Sequence, residues 1–348
     1  MQIFRQKTSK LNTDPSSEER KKDHIQLAFQ SQQDIKGIDP RFYYEPILSG
    51  HPSNDQIAST RILGTEFQYP IWVSSMTGGT KMAAIINKNL AIACEKYNLG
   101  MGLGSCRSLL YSDDAFADFN VRKFIGDRPL YANLGIAQVE ELVEHKKYDS
   151  IKELVDRLNA NGLIMHINPL QEWTQPEGDR YYKSPLETIS KILDNLDISI
   201  IVKEVGQGMG IESLKALMQL PLTAIDFAAN GGTNFSKLEL LRCDEIRKET
   251  LMPIVNVGHS AKEMVSIVNN LLVDLGSKAI CKEFIVSGGV KDFLDGYYHI
   301  SKMKSASIYG QASGFLRHAR GSYEELDRYV SLQVEGLKMA YAFLRIKT

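Results

Sequence analysis

An imidazole, two amides and a carboxylate crowd one short stretch of the sequence, Leu163-Ile164-Met165-His166-Ile167-Asn168-Pro169-Leu170-Gln171-Glu172-Trp173. It begins as an apolar run with a β-branched residue, the pattern of a buried strand. Its character then changes, and His166, Asn168, Gln171 and Glu172 gather at the strand's C-terminal end. Pro169 has no N–H to donate and ends the ladder. His166 and Asn168 are two apart, so an extended strand points both to one face. Either residue alone reads better as a core histidine or turn asparagine satisfied by its neighbours. Four such groups at one strand mouth read equally as a pocket for a polar ligand.

A second group lies near the N-terminus. The helix-start signal Asp14-Pro15-Ser16-Ser17 is followed by Glu19-Arg20-Lys21-Lys22-Asp23-His24-Ile25. On a helix Arg20 and His24 share a face, and Lys21 flanks it. Three potential cations on one side can grip a phosphate or diphosphate. The same cluster also fits a solvated basic helix face.

The elements that must position these groups follow a regular pattern. Residues 37–69, rich in Gly, Pro, Asn and Tyr, read as an irregular lead-in. Pro70–Ser75 then reads as a strand, closed by Met76-Thr77-Gly78-Gly79-Thr80. Further strands fall at 99–103, 130–132, 163 onward, 199–203, 224–227, 284–286 and 306–309. Helices are expected near 81–97, 137–160, 185–197 and 211–219, and a closing helix over 322–345. Ile254-Val255-Asn256-Val257 is set aside as a strand, because a ninth would not close the ring and residues 260–275 are helical in pattern. Eight strand–helix units predict a (β/α)8 barrel over 70–348, with 1–69 as an N-terminal extension over the barrel's C-terminal face. An open doubly wound sheet usually carries its glycine signature once, after the first strand. Here glycines follow nearly every strand, which favours the barrel.

Composition narrows the rest. The chain has 348 residues and a formal net charge of −1 with its cations spread out, so no nucleic-acid footprint is indicated. Cys94, Cys106, Cys243 and Cys281 are far apart, without zinc or disulfide spacing, which fits a reducing cytosol. The N-terminus lacks the apolar core of a signal peptide, and no run approaches a membrane span. A soluble cytoplasmic protein with a small-molecule ligand is expected. Two glycine loops, 287–290 and 310–313, follow the last two strands, where barrels commonly bind phosphate through backbone N–H groups. With Lys203 ending strand five, they point to a phosphorylated cofactor such as FMN. Asn133 and Thr77 offer neutral hydrogen bonds that suit a flavin edge, or equally turn and cap chemistry.

Taken in order, these motifs resemble the type 2 isopentenyl diphosphate isomerases, FMN-dependent (β/α)8-barrel enzymes. The matching pieces include Arg20-Lys21-Lys22-Asp23-His24-Ile25, Met76-Thr77-Gly78-Gly79, Gly104-Ser105-Cys106-Arg107 and Asn133-Leu134-Gly135. They continue with His166–Glu172, Val202-Lys203-Glu204-Val205-Gly206, Gly231-Gly232-Thr233-Asn234 and Ser287-Gly288-Gly289-Val290. The HxNxxQE and RKxDHI elements are the specific ones. The chain departs from the family pattern at Cys106, where a Gln is usual, and at Phe235, where a Trp is usual.

The resemblance implies roles. Arg20, Lys21, His24, Ser105, Cys106, Arg107, His166, Asn168 and Gln171 would meet the substrate, the cations gripping its diphosphate. Ser75, Met76, Thr77, Ser105, Asn133, Lys203 and Thr233 would hold FMN, with Gly288, Gly289, Val290, Gln311 and Ala312 near its phosphate. Glu172 would bind Mg2+ shared with the diphosphate. NADPH would serve as reductant, and a homo-oligomer, tetramer or octamer, is expected. Moving a proton on and off carbon at an uncharged C=C needs a strong acid in a dry pocket. No carboxylate–cysteine pair suggests itself, and the resemblance assigns this acid–base work to reduced FMN, with N5 the acid/base. Gln171, too weak an acid, is given a positioning role. The rival reading on the same barrel is an FMN-dependent 2-hydroxy-acid oxidoreductase. The N-terminal cations argue against it, because a small acid needs no remote diphosphate grip. A catalytically inert nucleotide-binding barrel is a second rival, disfavoured by His166, Asn168, Gln171 and Glu172 occurring together.

Overall fold

The structure, a computed structural model, describes residues 17–53, 57 and 59–347. Eight parallel strands close into a barrel. They are β1 (Ile71–Val73), β2 (Gly100–Gly102), β3 (Leu130–Gly135), β4 (Gly162–His166), β5 (Ser199–Lys203), β6 (Ala224–Asp226), β7 (Phe284–Ser287) and β8 (Ser307–Gln311). Each pairs with its sequence neighbours, and β8 closes onto β1 through Tyr309↔Ile71 and Gln311↔Val73. The strands are buried along nearly their whole length, which is why they read as apolar runs rather than alternating ones.

Helices follow the strands, as the 3.6-residue patterns require. The helix Lys81–Tyr97 is capped by the Thr80 side chain, which accepts from Ala83 N–H, and ends at Asn98 in the left-handed region. The closing helix spans Tyr323–Phe343. Residues 252–256 form a 3-10 turn inside the long β6–β7 connection, so the run set aside as a strand is not one. Among the described residues no helix is long and apolar enough to cross a membrane.

Part of the lead-in is ordered in a way its composition hid. Thr60–Ile62 and Thr65–Phe67 form an antiparallel hairpin. Its two-residue turn, Leu63-Gly64, has positive φ at both positions, 56° and 72°, as a tight hairpin turn demands. Ile62, Leu63 and Phe67 pack with Trp72, Tyr131, Ile164, Ile201, Ile285 and Ile308 in the barrel core. The Leu63 N–H donates to Glu283 Oε2 at 2.7 Å, just before β7 begins. The hairpin therefore plugs the N-terminal end of the barrel, so residues 60–67 do not lie over the C-terminal face as expected for the whole of 1–69, and that face is left to function.

The chain divides into two compact units. Tyr43–Ile346 contains the barrel and its plug; the described residues up to Phe42, with Lys347, form a small unit. In the small unit a helix spans Ser17–Leu27 and a 3-10 turn spans Ile35–Gly37, capped by Asp34. The Asp14-Pro15-Ser16 part of the expected helix start lies outside the described residues.

Candidate active site

The C-terminal ends of β4, β5 and β6 bring His166, Lys203 and Asp226 level, for His166 pairs in register with Lys203, and Lys203 with Asp226. Lys203 is 7% exposed, and its Nζ donates to Glu204 O at 2.6 Å. Asp226 is fully buried. One carboxylate oxygen accepts from Ser287 Oγ, and the other has no hydrogen-bond partner. Burial pushes the Asp226 carboxyl up, against Lys203 and Ser287, which draw it down. The Glu204 carboxylate accepts N–H bonds from Gly206, Gln207 and Gly208, and so folds the chain after β5 into a fixed loop.

Although His166 keeps some solvent exposure, its ring packs so closely on Gly135 that a Cβ there would lie 2.8 Å from Nε2. Burial, reinforced by the Lys203 charge, pushes the imidazole pKa down to about 3. The ring is neutral near pH 7. Asn133 Nδ2 donates to Leu103 O at 2.9 Å, so Asn133 Oδ1 is the acceptor facing His166 Nδ1 at 2.8 Å. Nδ1 therefore carries the proton, and Nε2 presents a lone pair.

Beside this row, β5 to β8 and β1 surround a cavity of about 240 Å³. Ser75, Lys203, Thr233, Gly288, Gly289, Val290, Gln311 and Ala312 all line it. Met76 and Thr77 follow β1, Ser105 follows β2 and Asn133 belongs to β3, all outside its lining. The cavity has the character of a phosphate cradle. Gly288 has φ +85°, and a Cβ there would lie 2.1 Å from backbone atoms of Ala229, so only glycine lets the two loops meet. The buried Ser74 Oγ, Ser75 Oγ and Gln311 Oε1 have no hydrogen-bond partner. Unpaired buried polar atoms cost free energy, so such atoms around a cavity suit a polar ligand. This donor and acceptor set, with one ammonium and close glycine backbone, fits a phosphorylated cofactor of the FMN type. Ser74, Ser287 and Lys291 also line it and were not singled out in the sequence: Ser74 reads there as part of a strand, Ser287 as the start of the Ser287–Val290 motif, and Lys291 sits one residue beyond that motif.

The polar groups after β4 are arranged differently from the expectation. The strand stops at His166, and Asn168 precedes a helix, Pro169–Thr174, in which Pro169 takes the first turn where its missing N–H costs nothing. Asn168 and His166 are thus not two positions on one extended strand. Asn168 Nδ2 donates to Gln171 Oε1 at 3.1 Å and to Glu172 Oε1 at 3.0 Å, and its own Oδ1 is buried without a partner. Glu172 Oε2 accepts the Asp179 N–H at 2.8 Å. Likewise Asn133 lies inside β3, and Gly310 and Gln311 are the last residues of β8 rather than loop residues.

The remaining candidates fall as follows. Arg107 is exposed at the end of β2 and pairs with Asp179, Nη1 to Oδ2 at 2.6 Å. Ser105 is exposed, and Cys106 is fully buried with Sγ 3.4 Å from Gly104 O; burial pushes its thiol up to about 12. Arg20, Lys21 and His24 are exposed on the Ser17–Leu27 helix of the small unit. Among the described residues no three His, Cys, Asp or Glu side chains cluster to hold a metal ion. All four cysteines are free.

The fold and the cavity define a (β/α)8 barrel with a glycine-walled cavity and a polar row at its C-terminal rim. No family model matches the chain. Among solved structures it is similar to a mandelate oxidase variant with a monooxide FMN adduct (TM-score 0.52, 10% identity, 88% of each chain). It is also similar to a flavocytochrome b2 variant with pyruvate bound (TM-score 0.57, 13% identity, 86% of this chain and 71% of that one). At such identities these likenesses carry the fold alone. Curated relatives are far closer. The protein named isopentenyl-diphosphate delta-isomerase from Rickettsia felis is 34% identical over 334 residues, covering 92% of this chain and 91% of that one. Its namesake from Rickettsia canadensis is 33% identical over the same length. The chain belongs to the isopentenyl-diphosphate delta-isomerase family.

Proposed function

We propose that the protein interconverts isopentenyl diphosphate and dimethylallyl diphosphate in isoprenoid biosynthesis, as a type 2, FMN-dependent member of its family. The observation that carries this reading is the glycine-walled cavity beside Lys203, combined with membership of that family. Bound and reduced, by NADPH for instance, FMN would supply the acid–base chemistry at carbon. The chain's own residues do the rest. Ser75, Lys203, Thr233 and the Gly288-Gly289 backbone hold the cofactor, and the Lys203 ammonium favours negative charge on its near edge. His166, in register with Lys203, is neutral and adds no second charge to the row. Asn168 orients the Gln171 amide, which positions the isoprenoid end. Arg107, with Arg20, Lys21 and His24, binds the diphosphate.

For Mg2+ the protein offers an oxygen donor, Glu172, 8% exposed and already steadied by Asn168 and the Asp179 N–H. One carboxylate suits an ion that takes its other ligands from diphosphate and water. The protein acts in the cytoplasm as a homo-oligomer. The test is an anaerobic assay of isopentenyl diphosphate with FMN-loaded protein, reduced or oxidised, beside an aerobic assay of 2-hydroxy acids. Product from the reduced form alone supports the proposal. Oxidation of a 2-hydroxy acid without isomerisation refutes it in favour of an oxidase on this barrel.

A further inference from the structure

Residues 175–180 turn back over the helix Pro169–Thr174. Gly178 packs so tightly that a Cβ there would lie 2.0 Å from Glu172 O. Arg180 pins the turn: its guanidinium donates to Glu172 O and, at 3.0 Å, to Gly178 O, and lies 5.0 Å from the centre of the Trp173 ring. The product of this tight turn is the placement of Asp179. Its carboxylate oxygen Oδ2 accepts from Arg107 Nη1 at 2.6 Å and from Gln138 Nε2 at 2.9 Å. Its backbone N–H donates to Glu172 Oε2 at 2.8 Å. Arg107 follows β2, Gln138 lies on the helix after β3, and Glu172 follows β4. One residue thus ties three successive strand ends together.

We propose that Asp179 is a positioning residue for the diphosphate end of the substrate. It holds the Arg107 guanidinium at the rim and, through its own N–H, steadies the Glu172 carboxylate, so both are in place before the ligand arrives. This rests on the function proposed above. A half-exposed arginine left alone samples many rotamers, and binding would have to freeze it. Asp179 takes Nη1 closely and Nη2 only at 3.5 Å, so donors of the five-donor fork stay available to phosphate oxygens. Asp179 is not a mobile stand-in for the phosphate. Gln138 holds its carboxylate, 5% exposed itself, and Glu172 holds its backbone.

The test is Asp179→Asn, which keeps size and N–H and removes the charge. Calorimetric titration of the FMN-loaded protein with inorganic diphosphate in the presence of Mg2+ should show binding weaker by about ten-fold or more. KM for isopentenyl diphosphate should rise with it, while bound FMN and melting temperature stay at wild-type values and Asp179→Glu recovers part of the affinity. Unchanged diphosphate affinity overturns the proposal. Tighter binding overturns it too, because Asp179 would then be competing with the ligand for Arg107. Loss of FMN and of thermal stability in step with affinity assigns Asp179 a merely structural role and also overturns it. Where Asp179→Asn does not fold, Gln138→Leu removes one anchor of the carboxylate and should weaken diphosphate binding by about three-fold; no change there refutes the idea. Wild-type protein that binds diphosphate without converting isopentenyl diphosphate sinks the proposed function, and the titration still judges Asp179. Wild-type protein that converts it, matched by Asp179→Asn, sinks the role of Asp179 alone.

Discussion

Replacing Lys203 by methionine keeps the apolar stem and removes the ammonium from the cavity wall. Lys203 is 7% exposed, with Nζ held 2.6 Å from Glu204 O beside the glycine loops. A charge-assisted hydrogen bond contributes about 1.5–3 kcal/mol. At about 1.4 kcal/mol per decade, FMN dissociation constants should rise roughly 10- to 150-fold. The substitution has two side effects at neighbouring groups. His166 loses the smaller of the two causes that depress its pKa, and burial, the larger, still keeps it neutral. Asp226 loses the cation that offsets its burial, so its carboxyl moves further up and becomes more readily protonated. The His166 ring stays neutral, the upward shift of Asp226 eases the loss of its cation, and the apolar stem still fills its place, so the flavin-free protein should melt near the wild-type temperature. The assay is titration of deflavinated protein with FMN, followed by quenching of flavin fluorescence, with thermal melting of the same samples. Equal FMN affinity in the two proteins refutes the placement of the cofactor. A loss of affinity matched by a collapse of the flavin-free fold refutes the stated cause.

Arg20→Ala, and separately Lys21→Ala, should raise KM for isopentenyl diphosphate about ten- to a hundred-fold while FMN content holds; wild-type kinetics in both would make the cluster a surface face. Glu172→Gln should lose activity mainly at limiting Mg2+ and recover in part as Mg2+ is raised, whereas a loss indifferent to Mg2+ would assign Glu172 a proton-transfer role. The His166 imidazole, depressed to about 3 in the folded protein, takes up a proton near pH 6.5 once unfolded. The unfolded state therefore binds more protons between those pH values, and His166 makes stability fall as pH drops through that window, by at most about 1.4 kcal/mol per pH unit. Denaturant titrations at several pH values should show a shallower fall for His166→Gln, and an identical slope would refute the buried neutral imidazole.

The barrel was legible because parallel strands buried on both faces leave apolar runs, and most of these runs close within a few residues on glycine, asparagine or another polar residue. Lys203 stood out for the same reason: a lysine closing Ser199-Ile200-Ile201-Val202 has nowhere to go but the rim. The plug hairpin was hidden because its strands are three residues each and its turn uses Leu63 at positive φ, which no propensity favours. Asn168 was misplaced because Pro169 serves equally as the end of a strand and the start of a helix. Asp226 was read only as part of a strand, since its meaning lies in register with Lys203 and a bond to Ser287, far off in sequence. Asp179 left no local signal beyond its glycine neighbour, because all it does is reach residues 107, 138 and 172.

The central claim, isomerisation by proton addition and removal at a reduced flavin, is tested most directly by proton NMR in D2O. Isopentenyl diphosphate is incubated anaerobically with the FMN-loaded, fully reduced protein and Mg2+, beside an oxidised control. The account predicts dimethylallyl diphosphate carrying solvent deuterium, formed by the reduced protein alone, with no net consumption of reductant. Unchanged isopentenyl diphosphate in the presence of bound, reduced FMN, or equal turnover by the oxidised protein, would contradict it.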